Sequence, residues 1–186
     1  MEEGPHLDVM REAIEVDGGA QRLLIAGDPS ATAELERAAA LYRRSWELAP
    51  PRSFGRLIGM LKASVLAGDA GDVAIYARGS LGEQLESAPA SYALAIAALV
   101  EGDDEAATEA AAAMRAGSPA MVRAADAIAA LAARDPGAYR AAIDAIVADF
   151  AGRDEHLTGV RIADTALMLD RLAEPRGMGA GAPLTL

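Results

Sequence analysis

Three glycine–aspartate pairs divide this chain, and each follows an apolar, alanine-rich stretch. The pairs are Gly27-Asp28, Gly68-Asp69 and Gly102-Asp103. Glycine readily adopts the left-handed conformation that ends many helices, and an aspartate side chain accepts hydrogen bonds from the free N–H groups of the next helix. Each pair therefore predicts a hinge at which one helix ends and another begins. Related stops occur at Gly117-Ser118-Pro119 and at Asp135-Pro136.

The spacing of these hinges indicates the architecture. They stand 41 and 34 residues apart, which is the length of one helix–turn–helix unit in an αα-solenoid. The side chains do not repeat in register, and no tetratricopeptide pattern is present. We therefore predict an all-α fold of stacked antiparallel αα-hairpins, a degenerate αα-solenoid or superhelical bundle of roughly nine to ten helices. A compact irregular bundle is the alternative.

Local signals place further boundaries. Asp17-Gly18-Gly19 predicts the end of the first helix, and Pro50-Pro51 predicts a break because neither residue can donate a backbone hydrogen bond. Ser53 is the expected cap of the helix that follows, and Ser80 with Glu83 fits a capping box. We expect one domain over residues 1–174, followed by a tail at 175–186 that either packs on the body or frays.

Composition limits the classes of function. The 186 residues are 52% hydrophobic but only 4% aromatic, which favours closely packed helices over strands. A net charge of −11 argues against direct binding of nucleic acid, whereas a basic protein partner would complement it. Lys62 is the single lysine beside 16 arginines, so genome composition is an alternative source of the acidic charge. No secretory signal, membrane span or cysteine is evident, which predicts a soluble, cytoplasmic protein.

No catalytic, cofactor or metal site is predicted. Asp103, Asp104 and Glu105 are adjacent at a helix start, where their side chains diverge and a capping role explains them. His6 and His156 have no second ligand at zinc spacing. The glycine-rich stretch at 177–181 has no strand before it and no helix after it, so it does not fit a phosphate-binding loop. Tyr42 and Trp46 share a helical stripe typical of a core. We therefore expect a non-enzymatic protein.

The last third of the chain carries a family resemblance. Its apolar run ends at Phe150, and a stretch Val-Arg-Ile-Ala-Asp-Thr-Ala-Leu follows at 160–167. This region resembles the C-terminal region of the immunity protein 49 family of bacterial polymorphic toxin systems. The matching positions are Tyr139, Ala142, Arg153, Leu157, 160–167, 172–173 and 176–178.

The resemblance implies a function. It implies an all-helical, non-enzymatic protein that binds a cognate toxin and neutralises it. The net charge of −11 makes a basic toxin domain the expected partner. The expected partner-binding residues are Arg153, His156, Arg161, Asp164 and Thr165. Asp164 can also pair with Arg161, and Thr165 can hydrogen-bond within its own helix, which are structural roles. A solenoid adaptor that binds a peptide or regulatory protein is the alternative, and a helical enzyme is a third. The oligomeric state is left open.

Overall fold

The structure is a computed structural model that describes residues 4–81 and 87–186. Over these ranges the chain forms nine α-helices, one short 3-10 helix and no β-strand, which confirms the predicted all-α fold. The helices are α1 (Pro5–Ile25), α2 (Ala31–Leu48), α3 (Gly55–Ala67), α4 (Gly71–Leu81), α5 (Ala88–Glu101), α6 (Asp104–Met114), α7 (Pro119–Ala132), α8 (Pro136–Ala151) and α9 (Asp164–Ala173), with the 3-10 turn at Glu174–Arg176. Within the described ranges, no helix combines the length and the apolar character needed to cross a membrane.

Successive helices pack as antiparallel pairs, and the pairs stack. Helix α5 packs against both α3 and α7, so these three helices form one layer of the stack. Helix α9 returns across this layer and packs against α3, α7 and α8. Helix α9 thereby covers part of the face of the layer formed by α3, α5 and α7.

The glycine half of the predicted hinges is confirmed at all three places, and the aspartate cap is confirmed at Asp103. Gly27, Gly68 and Gly102 all have positive φ angles, of 67°, 97° and 77°. At the third hinge the Asp103 carboxylate accepts a hydrogen bond from the backbone N–H of Ala106 at 3.1 Å. Ser118 and Asp135 cap α7 and α8 in the same way. Short-range capping by a side chain therefore accounts for the starts of α5, α6, α7 and α8.

The predicted stop at Asp17-Gly18-Gly19 is wrong, because α1 continues through it to Ile25. Tertiary contacts explain why these residues are helical. A Cβ atom on Gly18 would lie 2.6 Å from the backbone oxygen of Thr158, so glycine is needed here for close approach and not for a turn. The Asp17 side chain is buried and accepts a hydrogen bond from Tyr42 in α2.

Two predicted caps also have a different outcome. The Ser53 hydroxyl donates to the Pro50 carbonyl at 2.8 Å, and α3 begins at Gly55 without a side-chain cap. Ser53 therefore stabilises the turn after the proline pair instead of the helix start. Ser80 lies inside α4, and the proposed capping box cannot be assessed because Glu83 lies outside the described residues.

The tail packs on the body of the protein. The buried carboxylate of Asp170 accepts hydrogen bonds from the backbone N–H groups of Ala180 and Ala182 at 2.8 and 2.7 Å, and from the Tyr139 hydroxyl at 3.1 Å. Arg176 donates to the Leu99 carbonyl at 2.9 Å, at the C-terminal end of α5. These contacts connect the C-terminal residues to α5, α8 and α9.

Candidate functional site

The predicted site residues cluster around the segment between α8 and α9, residues 152–163, which we call the connector. The Arg153 guanidinium lies 3.8 Å above the Phe150 ring and pairs with Asp149 at 2.5 Å. The ring centroid of His156 is 6.2 Å from that of Phe150. Arg161 is exposed, and its guanidinium is 3.5 Å from the Ala151 carbonyl oxygen. The connector therefore follows a defined path along the end of α8.

Asp164 and Thr165 begin α9, and both bind Lys62 of α3. The Lys62 ammonium lies 2.5 Å from the Asp164 carboxylate and donates to the Thr165 hydroxyl at 3.0 Å. The expected pairing of Asp164 with Arg161 is therefore wrong, because α9 lies directly against α3. Thr165 likewise uses its hydroxyl between helices, while its backbone N–H donates to Asp164 at 2.8 Å.

Lys62 is the residue that the sequence interpretation missed. Its side chain is only 16% exposed. Burial alone would lower the pKa of Lys62, but the charge of Asp164 raises it above its ordinary value, so the ammonium stays protonated. A lone lysine inside an apolar helical stripe was the available signal, because a buried lysine requires a partner.

The connector covers a cavity of about 260 Å³, which we call the connector cavity. The cavity lies between the connector, the start of α9, and helices α3, α5, α7 and α8. Of the predicted partner-binding residues, Arg153, His156, Asp164 and Thr165 line it, whereas Arg161 does not. Its apolar wall contains Ile58, Met121, Ile146, Phe150, Val160 and Ile162. The fold thus assembles most of the predicted site around one partly open cavity.

Several residues that line this cavity carry a buried polar atom without a partner. Within the described ranges, the buried side-chain atoms without a hydrogen-bond partner include the Tyr92 hydroxyl, Arg123 Nε and both ring nitrogens of His156. Burial raises the pKa of Tyr92, and the charge of Lys62 and the nearby Thr165 hydroxyl partly offset this rise. Buried polar atoms are usually satisfied in native proteins. Their concentration here marks the cavity as a candidate binding site.

A chain of hydrogen bonds links the connector to helices α1 and α2. The Thr158 hydroxyl donates to Gln21 Oε1 at 2.6 Å, and Gln21 Nε2 donates to Asp17 Oδ1 at 3.1 Å. Tyr42 donates to the other Asp17 oxygen at 3.0 Å. Burial raises the pKa of Asp17 to about 6, with a smaller contribution from the negative charge of Asp164.

The remaining candidates have structural roles. Asp103 caps α6, and Asp104 binds Arg134 at 3.0 Å and Arg176 at 3.1 Å. Burial would raise the pKa of Asp104, but the hydrogen bonds from Arg134 and Arg176 hold it below its ordinary value. Tyr42 is buried, and Trp46 stacks on Phe54 with ring centroids 5.8 Å apart. Among the residues that the structure describes, no group of three or more His, Asp or Glu side chains could hold a metal ion.

Comparison of the chain with protein-family models, with curated proteins and with solved structures finds no match.

Proposed function

We propose that this protein binds another protein through the connector and acts without catalysis. The observation that carries the proposal is the position of Leu157, which is 75% exposed at the tip of the connector. Charged side chains at Arg153, Asp154, Glu155 and Arg161 surround it in the sequence. An apolar side chain within a polar rim is the usual composition of a protein-binding surface.

The connector is also preorganised for binding. A turn closes it through the hydrogen bond from the Gly159 N–H to the His156 carbonyl at 2.9 Å. Thr158, next to Leu157, is anchored by its bond to Gln21 and by the close approach of Gly18. A surface that is already ordered loses less conformational entropy when a partner binds. This rigidity distinguishes Leu157 from an isolated apolar residue on a surface.

The proposed partner is a toxin that the protein neutralises in the cytoplasm of the producing cell. Support comes from the resemblance of residues 139–178 to the immunity protein 49 family and from the net charge of −11. An acidic inhibitor and a basic toxin domain attract one another over long range, which accelerates association. Because this attraction is screened by salt, the association rate should fall as ionic strength rises.

The alternative role, an adaptor that binds a peptide in a concave solenoid face, has less geometric support. That face would be the layer formed by α3, α5 and α7, and α9 packs onto α3 and α7. A peptide would have to displace α9 and break the contact between Lys62 and Asp164. The outer surface of the connector is accessible without such a change.

Co-expression tests the proposal directly. If an adjacent reading frame encodes a toxin domain, the wild-type protein should rescue cells that express it. Leu157→Asp should abolish rescue and binding without lowering the melting temperature. Ile75→Asp is the matched control, since Ile75 is 64% exposed on α4, away from the connector, and this variant should still rescue. Rescue by Leu157→Asp, or equal loss in both variants, would contradict the assignment of the surface, and failure of the wild type would refute toxin neutralisation.

A further inference from the structure

The connector cavity opens beside the surface through which we propose that this protein binds its partner. Leu157 belongs to both features, because it lines the cavity and is 75% exposed. A protein that covers Leu157 would therefore also cover the mouth of the cavity. If the proposed function is correct, the partner supplies the group that fills this space.

The charged side chains that line the cavity already have partners. They form two sets of ion pairs, Asp149 with Arg123 and Arg153, and Asp164 with Lys62. The charge of Asp17 also acts on Lys62 from α1, so three carboxylates balance the three cations. A charged group that entered the cavity would have to compete with these pairs, and separating a desolvated pair is costly. The cavity therefore favours an uncharged occupant.

Apolar side chains form much of the remaining wall. Ile58, Met121 and Phe150 line the cavity and stay partly exposed to solvent. Covering apolar surface that is already held in place stabilises a complex with little loss of conformational entropy. Aromatic rings make favourable contacts with other rings and with methionine sulfur, so Phe150 and Met121 favour an aromatic group.

The volume of the cavity, about 260 Å³, limits the occupant to one side chain. An apolar protein cavity of about 150 Å³ is large enough to hold a benzene ring. Sites for whole drug-sized molecules have volumes of about 300–1,000 Å³. The space therefore fits a single aromatic side chain and is too small for a helix or a strand of the partner.

Two carboxylates next to Leu157 lack a counter-ion. Asp154 and Glu155 are exposed, and among the described residues neither of them forms an ion pair. The exposed guanidinium of Arg161 lies instead at the Ala151 carbonyl. Basic side chains of a partner would complement the two carboxylates. We propose that the connector cavity receives one aromatic side chain of the partner protein, with basic residues beside it that meet Asp154 and Glu155.

NMR titration with three acetylated tripeptide amides tests the ring and its basic neighbours separately. The peptides are Lys-Phe-Lys, Lys-Ala-Lys and Glu-Phe-Glu. Lys-Phe-Lys should bind saturably with a dissociation constant on the order of 1 mM, as expected for a fragment of this size, and should shift amide signals of α7, α8 and the connector. Lys-Ala-Lys should bind at least about tenfold more weakly because it lacks the ring. Glu-Phe-Glu should bind at least about threefold more weakly at low salt because its charges repel Asp154 and Glu155.

Ala120→Leu tests the place of binding. Ala120 is partly buried in the first turn of α7 and lines the cavity, so a leucine there would occupy part of the space. The variant should bind Lys-Phe-Lys at least about tenfold more weakly, with a melting temperature equal to or above that of the wild type, because it fills a cavity. Ala129→Leu is the matched control, since Ala129 is also partly buried on α7 but does not line this cavity, and it should bind the peptide normally.

Four results would overturn the inference: no saturable binding of Lys-Phe-Lys at millimolar concentration, equal binding of Lys-Ala-Lys, equal binding of Glu-Phe-Glu, or unchanged binding of Lys-Phe-Lys to a folded Ala120→Leu variant. The comparison of the three peptides decides the matter even if Ala120→Leu folds poorly. No toxin takes part in these measurements, so their failure would leave toxin neutralisation through Leu157 standing. Failed rescue by the wild type would refute toxin neutralisation alone, because the titration reports on the cavity without a partner.

Discussion

Asp17 should make the stability of this protein depend on pH in an unusual direction. Its carboxylate is 8% exposed, and burial raises its pKa from 3.8 to about 6. Between these values the unfolded chain releases the proton while the folded protein retains it. Folding stability contributed by this group is therefore fully present below about pH 4 and is lost as the pH rises through about 6. A shift of about two pKa units corresponds to about 3 kcal/mol.

Asp17→Asn should remove this dependence while keeping the hydrogen bonds. Tyr42 can donate to the amide oxygen, and Gln21 can turn its own amide so that its oxygen accepts from the new NH₂ group. The Thr158 hydroxyl can then accept from Gln21 instead of donating to it. We therefore expect the variant to fold normally.

Urea unfolding of both proteins across a pH series gives the measurement. The difference in unfolding free energy, Asp17→Asn minus wild type, should increase by about 2 kcal/mol between about pH 4 and about pH 7. In a chain of this size that corresponds to roughly 4–8 °C in melting temperature. The difference between the two proteins cancels the titration of all other groups that they share.

An NMR titration of the Asp17 carboxyl carbon would test the cause independently. Tyr42→Phe should raise the pKa of Asp17 still further, because the hydroxyl of Tyr42 stabilises the ionised form. A free-energy difference that stays constant over this pH range, or that decreases toward neutral pH, would refute the assignment of a raised pKa to this buried carboxylate.

Four further substitutions test packing, the tail contacts and helix capping. Gly18→Ala should destabilise the protein by about 1–3 kcal/mol, because the new methyl group would meet the Thr158 carbonyl. Gly19→Ala has open space around it and should stabilise α1 by about 0.4–1 kcal/mol. Equal urea midpoints for the two variants would contradict this contrast. Asp170→Asn should lower the free energy of unfolding by about 1–3 kcal/mol, since an amide has one acceptor oxygen for the N–H groups of Ala180 and Ala182. Faster hydrogen exchange of these two amide protons would show the loss of their hydrogen bonds. Asp103→Ala removes the cap of α6 and should lower the free energy of unfolding by about 0.5–2 kcal/mol, as measured by thermal unfolding. Loss of partner binding without a fall in melting temperature would contradict a structural role for Asp103.

Local signals in the sequence predicted the helices well. Gly68 and Gly102 both end their helices in the left-handed conformation, and at the second of these hinges Asp103 caps the next helix, so the signals act within a few residues of each other. The same reasoning failed at Gly18, where the glycine is required by a contact with Thr158 in a distant segment. Glycine followed by glycine has more than one structural use, and local sequence does not distinguish them.

The candidate site was only partly accessible to sequence reasoning. Arg153, His156, Asp164 and Thr165 were selected together, and the structure places all four around the connector cavity. Lys62 was missed because it lies 103 residues from Thr165 in the chain, and nothing in its own helix indicates that partner. Lys62 is the single lysine of the chain, which marks it as unusual but does not indicate the residue with which it pairs.

The sequence by itself determined the all-α class and the sites of the hinges, because helix propensity and capping depend on neighbouring residues. Only the tertiary structure decided that α9 packs back onto α3, that Lys62 meets Asp164, and that Thr158 reaches Gln21 across 137 residues. These contacts depend on how whole helices pack, which is governed by burial of their apolar faces rather than by local rules. The same packing forms the connector cavity, and it leaves Leu157, which is one of the lining residues, largely exposed.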